Sequence, residues 1–428
     1  MNIAKLHQRF LVCSGVSTDT RKIIPGSIFF ALKGQNFNGN HYAAEALEKG
    51  AACVVVDQKE FAVKSDKYIL VKDTLEALQH LATFHRKFLD IPIIAITGSN
   101  GKTTTKELVH AVLTKKYKTA ATKGNLNNHI GVPLTLLEMD ENTQMGIVEM
   151  GANHPGEIEF LCSITKPDYG YITNFGKAHL EGFGSLEGVI QAKSELYNYL
   201  KKDKKLLFLN LDDENQRVQL PYNHYFSFGT GRTPQVQVTY ISGDQTARLH
   251  FNQTDFKSKL TGTYNAFNMA AALCIGLYFK VPLEEIKEAI EEYTPENNRS
   301  QILKKDSNTL FMDAYNANPT SMRASIENFD QMKVKGQKIV VLGDMLELGS
   351  TSEIEHQDIV DLAESCQFDE VYLVGRNFKK TKTTTPTVIK FENTENLKKH
   401  FSMTEFRNCN FFIKGSRAMA LEDLVAVL

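Results

Sequence analysis

Strong charge of either sign is missing from this chain: 49 basic and 50 acidic side chains leave a formal net charge of −1. That removes the electrostatic reason to expect a nucleic acid or a membrane surface as partner. Long apolar runs are missing too. The longest, around residues 269–279, is too short to cross a bilayer, and residues 1–9 lack the apolar core of a signal peptide, so a cytoplasmic protein is expected. Paired cysteines are absent: Cys13, Cys53, Cys162, Cys274, Cys366 and Cys409 lie far apart without metal-ligand spacing. Buried free thiols in a reducing compartment follow from that spacing. Proline is scarce, with 11 residues, and there is no internal repeat, low-complexity tract or long linker. What remains, 42% hydrophobic and 23% charged over 428 residues, is a soluble globular composition too long for one ordinary core. Roughly two to four domains are implied.

The most informative stretch is 91–106. Residues 93–96 are apolar and rich in β-branched side chains, as in a strand buried on both faces. Gly98, Ser99, Asn100 and Gly101 make a flexible turn, and Lys102, Thr103 and Thr104 open a helix whose apolar side carries Leu108, Val109, Val112 and Leu113. Such a unit cradles phosphate: backbone N–H groups and the helix N-terminus attract anionic oxygens, Lys102 adds charge, and the Thr103 hydroxyl can ligate Mg²⁺. The strict Walker spacing is not met, because Ile96 stands where its first glycine would be. An ordinary glycine-rich turn is the plainer alternative.

Three regions are expected, 1–86, 87–298 and 299–428. The first reads as a small α/β unit with strands at 27–32 and 52–56, a helix at 42–49, and polar loops at 17–21 and 33–41. Those loops suit a phosphorylated or sugar-like ligand, though solvated turns would look alike. In the second region, Glu149 and His179 follow strands, at whose carboxyl ends open parallel sheets gather their functional groups. A carboxylate there suits Mg²⁺, which takes hard oxygen ligands. Taken singly, each would pass for a solvated strand end or a core histidine, and Lys193 for a lysine on a solvated helix face. Alternation between 225 and 260 predicts an antiparallel appendage, followed by a helix over 265–279. The third region alternates strands (310–313, 338–342, 370–374, 410–413) with helices (321–332, 353–364, 418–427), a second doubly wound unit without a phosphate loop. Its segment 313–319, Asp-Ala-Tyr-Asn-Ala-Asn-Pro, carries more hydrogen-bonding groups than a turn before a helix needs.

Together these motifs resemble the Mur ligase family over nearly the whole chain. The likeness rests on Ser17-Thr-Asp-Thr-Arg21, Thr97-Gly-Ser-Asn-Gly-Lys-Thr-Thr104, Asn125-Leu-Asn-Asn-His129, Glu149-Met-Gly151, the 174–184 loop and Ala192-Lys-Ser-Glu195. It continues through Tyr264-Asn-Ala-Phe-Asn268, Tyr315-Asn-Ala-Asn-Pro319, Leu342-Gly-Asp-Met-Leu-Glu-Leu-Gly349 and Lys414-Gly-Ser-Arg417. The resemblance implies a three-domain α/β ligase: a small N-terminal unit for a UDP-sugar, a central ATPase unit with a mostly parallel sheet, and a Rossmann-like C-terminal unit that binds the incoming dipeptide and closes the site. The implied reaction is ATP- and Mg²⁺-dependent joining of D-alanyl-D-alanine to UDP-N-acetylmuramoyl-tripeptide, in a monomer.

By the same resemblance, Lys102, Thr103, Glu149, His179 and Lys193 carry the chemistry, with Thr103, Glu149 and His179 near the metal. Lys193 matches a lysine carbamylated in several members, an unmodified ammonium on phosphate being the alternative. Gly98 to Thr104, Asn265, Asn268, Arg299, Asp313 and Tyr315 would hold ATP. Ser17, Thr18, Arg21, Asn36, Asn38, Asn127, Asn128, Asn316 and Asn318 would face the substrates. Tyr264 stands where many relatives have histidine. A ligase of the superfamily adding another amino acid, and a nucleotide-dependent switch without ligase activity, are the alternatives.

Overall fold

The computed structural model describes residues 2–295 and 299–428; residue 298, the expected end of the second region, lies outside them. Three successive stretches of chain build three main sheets. In the first, Val16–Ser17, Ile28–Phe30, Cys53–Val56 and Tyr68–Leu70 pair in parallel in that order. Cys53–Val56 is buried throughout, which is why it reads as an unbroken apolar run and not as alternation. Helices Ile3–Leu11 and Thr74–Leu89 pack together at the seam with the central unit.

The central sheet has seven parallel strands, with Ile93–Thr97 between Tyr169–Ile172 and Met145–Glu149. From Ile93–Thr97 the chain runs to the edge strand Thr119–Ala121 and returns to Met145–Glu149. It then crosses to the other side for Tyr169–Ile172, Leu206–Asn210, Tyr225–Gly229 and Val236–Gln237. This reversal leaves a crevice at the carboxyl ends of the strands, where sheets of this type hold ligands. Register sets Glu149 opposite Ile96 and Thr97 opposite Ile172, so three neighbouring strand ends share one rim.

The antiparallel appendage is smaller than expected. It comprises Thr239–Ile241, Thr246–Phe251 and Thr254–Thr261, whereas Tyr225–Gly229 pairs in parallel with Leu206–Asn210. Burial of Phe228, and the packing of Phe226 on Tyr278, draw that strand into the main sheet.

The third sheet has Gln301–Lys305 as an antiparallel edge, then Asn308–Asp313, Cys409–Lys414, Gln337–Gly343, Glu370–Val374 and Val388–Phe391 in parallel. The helix expected over 418–427 is instead two 3₁₀ turns, Arg417–Met419 and Leu421–Ala426. Ala420 between them is left-handed at φ 47°, a conformation that cannot propagate an α-helix of L-residues. All six cysteines are free thiols. Among the described residues no helix is long and apolar enough to cross a membrane.

Candidate active site

Two glycines shape the phosphate loop. Gly98 has φ 142°, and a Cβ there would lie 2.0 Å from Thr173 Oγ1; Gly101, at φ 77°, caps the helix Lys102–Thr114 in the left-handed region. Both positions therefore demand glycine. Side chains from the next strand end brace the loop. Thr173 Oγ1 donates to the Asn100 carbonyl at 2.6 Å, and the Asn100 N–H donates to Asn174 Oδ1 at 3.0 Å. The Gly176 N–H donates to Ser99 Oγ at 2.9 Å. Lys102 Nζ folds back to donate to the carbonyls of Gly98 (2.7 Å) and Ser99 (3.1 Å). Burial pushes its pKa down, Glu149 opposes this, and Arg299 adds to it.

Glu149 is 1% exposed. Its Oε1 accepts from Asn127 Nδ2 at 2.8 Å, but Oε2 has no hydrogen-bond partner among the described residues. The nearest cation, Lys106 Nζ, is 3.9 Å away and donates to the Thr122 carbonyl at 2.7 Å. A buried carboxylate oxygen left this way costs free energy unless a further cation or donor reaches it. The chemistry of this oxygen would suit Mg²⁺, which takes one or two carboxylates and completes its shell with phosphate oxygens and water. Among the described residues no group of three His, Cys, Asp or Glu is placed to hold a metal ion by itself. Lys106, buried in the phosphate-loop helix, was not singled out in the sequence; its place four residues after Lys102, on the same helix face, was the available signal.

One cavity of about 990 Å³ joins these groups to the third unit. From the central sheet it is lined by Ser99 to Thr104, Glu149, His179, and the pairs Asn127 with Asn128 and Asn265 with Asn268. Arg299, Asp313, Tyr315 and Asn316 line it from the other side. The Arg299 guanidinium stacks on the Tyr315 ring at 3.5 Å. Asp313 is held by Lys414, whose Nζ lies 2.5 Å from Oδ2 and also donates to the Asn316 carbonyl at 3.3 Å. Lys414 is 2% exposed and lines the same cavity, although the sequence marked it only as part of a motif. Asn265 and Asn268 are hydrogen-bonded to each other, to Ser300 Oγ and to Thr105 Oγ1, so they form a fixed polar wall. Asn128 Oδ1 accepts from the N–H groups of Ile130 and Gly131.

Several expected residues lie elsewhere. Gly98 shapes the loop from behind the lining. Asn318 caps the helix Pro319–Gln331 in a capping box and reaches across to Asn100 Oδ1 at 2.7 Å, so its amide joins the two units and does not face the cavity. Lys193 is 1% exposed beside the cavity without lining it; its Nζ donates to the Ala152 carbonyl at 3.0 Å and stands 5.0 Å from the Phe183 ring centre. Burial and then Lys102 push its pKa well down. Ser17, Thr18, Arg21, Asn36 and Asn38 sit on the first unit, outside the cavity. Arg21 is exposed and clasps Asp19 at 2.7 Å. Asn38 accepts from Asn40 N and Nδ2 and donates to Gln58, which uses its amide within the fold.

A phosphate loop on a parallel sheet, with a second α/β unit closing over its mouth, defines a nucleotide-using enzyme whose site is assembled from two domains. Three family models match in succession: the Mur ligase family catalytic domain over 12–86, the Mur ligase middle domain over 96–276, and the Mur ligase glutamate ligase domain over 298–411. The chain belongs to the Mur ligase family. It is 35% identical to UDP-N-acetylmuramoyl-tripeptide–D-alanyl-D-alanine ligase of Bacillus subtilis, over 97% of this chain and 93% of that protein. A crystal structure of MurF from Acinetobacter baumannii superposes with a TM-score of 0.85 at 32% identity, covering 96% of this chain and 92% of that one. MurF ligase from Thermotoga maritima in complex with ADP gives 0.83 at 27% identity, covering 98% and 97%.

Proposed function

We propose that this chain is an ATP-dependent, ADP-forming amide ligase that joins D-alanyl-D-alanine to UDP-N-acetylmuramoyl-tripeptide in peptidoglycan precursor synthesis. The observation that carries the reading is the shared cavity, into which the phosphate loop, Glu149, His179, Asp313, Tyr315 and Asn316 all open. Full-length likeness to ligases of that name supports the choice of substrates. We assign residues 1–86 to the sugar nucleotide, 87–298 to ATP, and 299–428 to the dipeptide and closure, in a cytoplasmic monomer.

A carboxylate resists attack by an amine until it carries a better leaving group. The tripeptide carboxylate oxygen attacks the γ-phosphorus, the bond to ADP breaks, and an acyl phosphate forms. The dipeptide amine then attacks the acyl carbon, gives up a proton and expels phosphate. Bringing two anions together needs positioning and positive charge more than covalent help. Lys102 supplies the charge, released from its loop carbonyls to the nucleotide phosphates. Thr103, Glu149 and His179 would hold Mg²⁺, which when bound neutralises the phosphate oxygens. Asn265 and Asn268 would meet adenine, Arg299 and Asp313 phosphate and ribose, and Tyr315 the base. Asn127, Asn128 and Asn316 would border the reacting groups, with Asn318 joining the two units beside them, and Ser17, Thr18, Arg21 and Asn36 would meet the sugar nucleotide, with Asn38 shaping their loop. The low pKa of Lys193 raises its share of free amine, the form that adds CO₂ and loses a proton to give a carbamate. Activity that rises with bicarbonate supports this modification; indifference to bicarbonate supports the bare amine.

Phosphate release with ATP and Mg²⁺ tests the function, with candidate substrates added singly and then together. Turnover is expected only when UDP-N-acetylmuramoyl-tripeptide and D-alanyl-D-alanine are both present. Turnover driven by a different amino acid would indicate another ligase of the superfamily, and hydrolysis without substrates would indicate a switch.

A further inference from the structure

The loop bearing His179 is braced from the third unit on both sides. The Lys177 N–H donates to Thr320 Oγ1 at 2.9 Å, and Lys177 Nζ pairs with Glu355 at 2.6 Å. The Glu181 N–H donates to the Glu347 carbonyl at 3.1 Å, and the Glu347 carboxylate meets His179 Nδ1. Both residues of that last contact have left-handed backbones, φ 53° at His179 and φ 61° at Glu347. For side chains of this size such a conformation is strained and persists only where the surroundings enforce it. The enforcement is visible on the third-unit side. The Met345 N–H donates to Nε2 of the buried His356 at 3.1 Å, and the Leu346 N–H to Ser416 Oγ at 3.2 Å. His356 Nδ1 in turn lies 2.7 Å from the Ser352 carbonyl, so Nδ1 carries the proton and Nε2 is free to accept.

We propose that Glu347 is a positioning residue for the reaction: docking of the third unit brings its carboxylate onto Nδ1 of His179 and holds the imidazole as the Nδ1–H tautomer. The lone pair is then on Nε2, which has no hydrogen-bond partner among the described residues, in a ring that lines the cavity. The inference rests on the role given above to His179. A carboxylate on one ring nitrogen fixes both the tautomer and the orientation of an imidazole whose other nitrogen faces a metal or phosphate. Closure thereby changes the central site through a side chain that itself touches no substrate.

The test combines ¹⁵N-histidine NMR of the ligand-free protein, with the His179 signals assigned through H179Q, and steady-state phosphate release. The Nδ1–H pattern is expected for His179 in the wild type and a mixed-tautomer pattern in E347A. Activity should fall about 10–100-fold in E347A, as for lost outer-shell partners elsewhere. E347Q, whose amide oxygen can still accept the hydrogen bond from Nδ1–H, should recover most of both readouts. E355A, which breaks a seam contact without touching His179, should stay within about threefold of wild type. An unchanged tautomer in E347A, wild-type turnover in E347A, or an equal loss in E355A would each overturn the proposal. Full activity in H179A would instead remove the role given to His179 itself.

Discussion

Two sets of polar loops in this chain draw on similar residue types and end in opposite conditions. Around the phosphate loop, Ser99, Asn100, Thr173 and Asn174 are bound to one another, and the Gly98 carbonyl holds Lys102 at 2.7 Å. In the first unit, Arg21 points into solvent and pairs with Asp19, and Asn36 is exposed. The polar groups there that are buried serve the fold. Asp57 accepts from Asn40 Nδ2 at 2.9 Å and pairs with Lys33 at 3.0 Å, pinning the hairpin of Lys33–Gly34 with Phe37–Asn38. A phosphate site must exist before its ligand arrives, because it works by preorganised dipoles and charge. A surface for a large sugar nucleotide can leave its donors in water until binding.

The contrast breaks most decisively at Lys102. Lys102→Ala should lower kcat by about a thousandfold or more in the phosphate-release assay, with an unchanged circular dichroism spectrum. Near-normal turnover would show that the loop is a mere turn. Glu149→Gln comes next: kcat should fall about a hundredfold, and the Mg²⁺ needed for half-maximal rate should rise, because the unpartnered buried oxygen no longer belongs to an anion. Unaltered Mg²⁺ dependence would count against the ion site.

Arg21→Ala sharpens the other side of the comparison. The KM for the sugar nucleotide should rise about tenfold while kcat and the KM for ATP hold. Tm should not move, because the Arg21–Asp19 pair is solvent-exposed. A matching loss of kcat would place Arg21 nearer the chemistry than the fold does.

The smallest effect concerns the seam between the first two units. His85 Nε2 lies 2.8 Å from the Met139 carbonyl, and His85 Nδ1 lies 3.0 Å from His7 Nε2. The chain of donors runs from His7 to His85 to the carbonyl, and a proton on His85 Nδ1 would set two N–H groups head to head. Burial lowers the pKa of both rings; for His7 the charge on His85 adds to this, and for His85 the Met139 carbonyl and Asp140 oppose it. With folded values below the unfolded value of about 6.5, the unfolded state binds more protons in mild acid. This part of the stability is present above about pH 6.5 and is lost as pH falls toward the folded values. Urea midpoints measured from pH 7.5 to 5.5 should decline, and His7→Phe should flatten the decline. An equally steep decline in that variant would assign the pH dependence to other groups.

Much of the site was legible because it is local. A β-branched run, two glycines at fixed offsets and Lys-Thr opening a helix sufficed for the phosphate loop, since backbone sterics and the helix N-terminus act within a dozen residues. Glu149 was legible as the end of one strand and His179 as part of the loop that follows the next. That Lys193 would be buried beside the cavity without lining it, and that the Asn38 and Asn318 amides would be taken up by neighbours, was not legible, because their partners lie on other elements. The region at 418–427 shows the same limit, since its apolar spacing fits a helix that the left-handed Ala420 interrupts.

By itself, then, the sequence determined the fold class, the phosphate loop and membership of the Mur ligase family, all carried by short-range patterns. Tertiary structure alone decided that Glu149 keeps one oxygen unpartnered, that Lys414 steadies Asp313, and that Glu347 reaches His179. The first two depend on which strands and loops come to lie side by side within one unit, and the third on where two units come to rest against each other; local pattern holds no record of such distances.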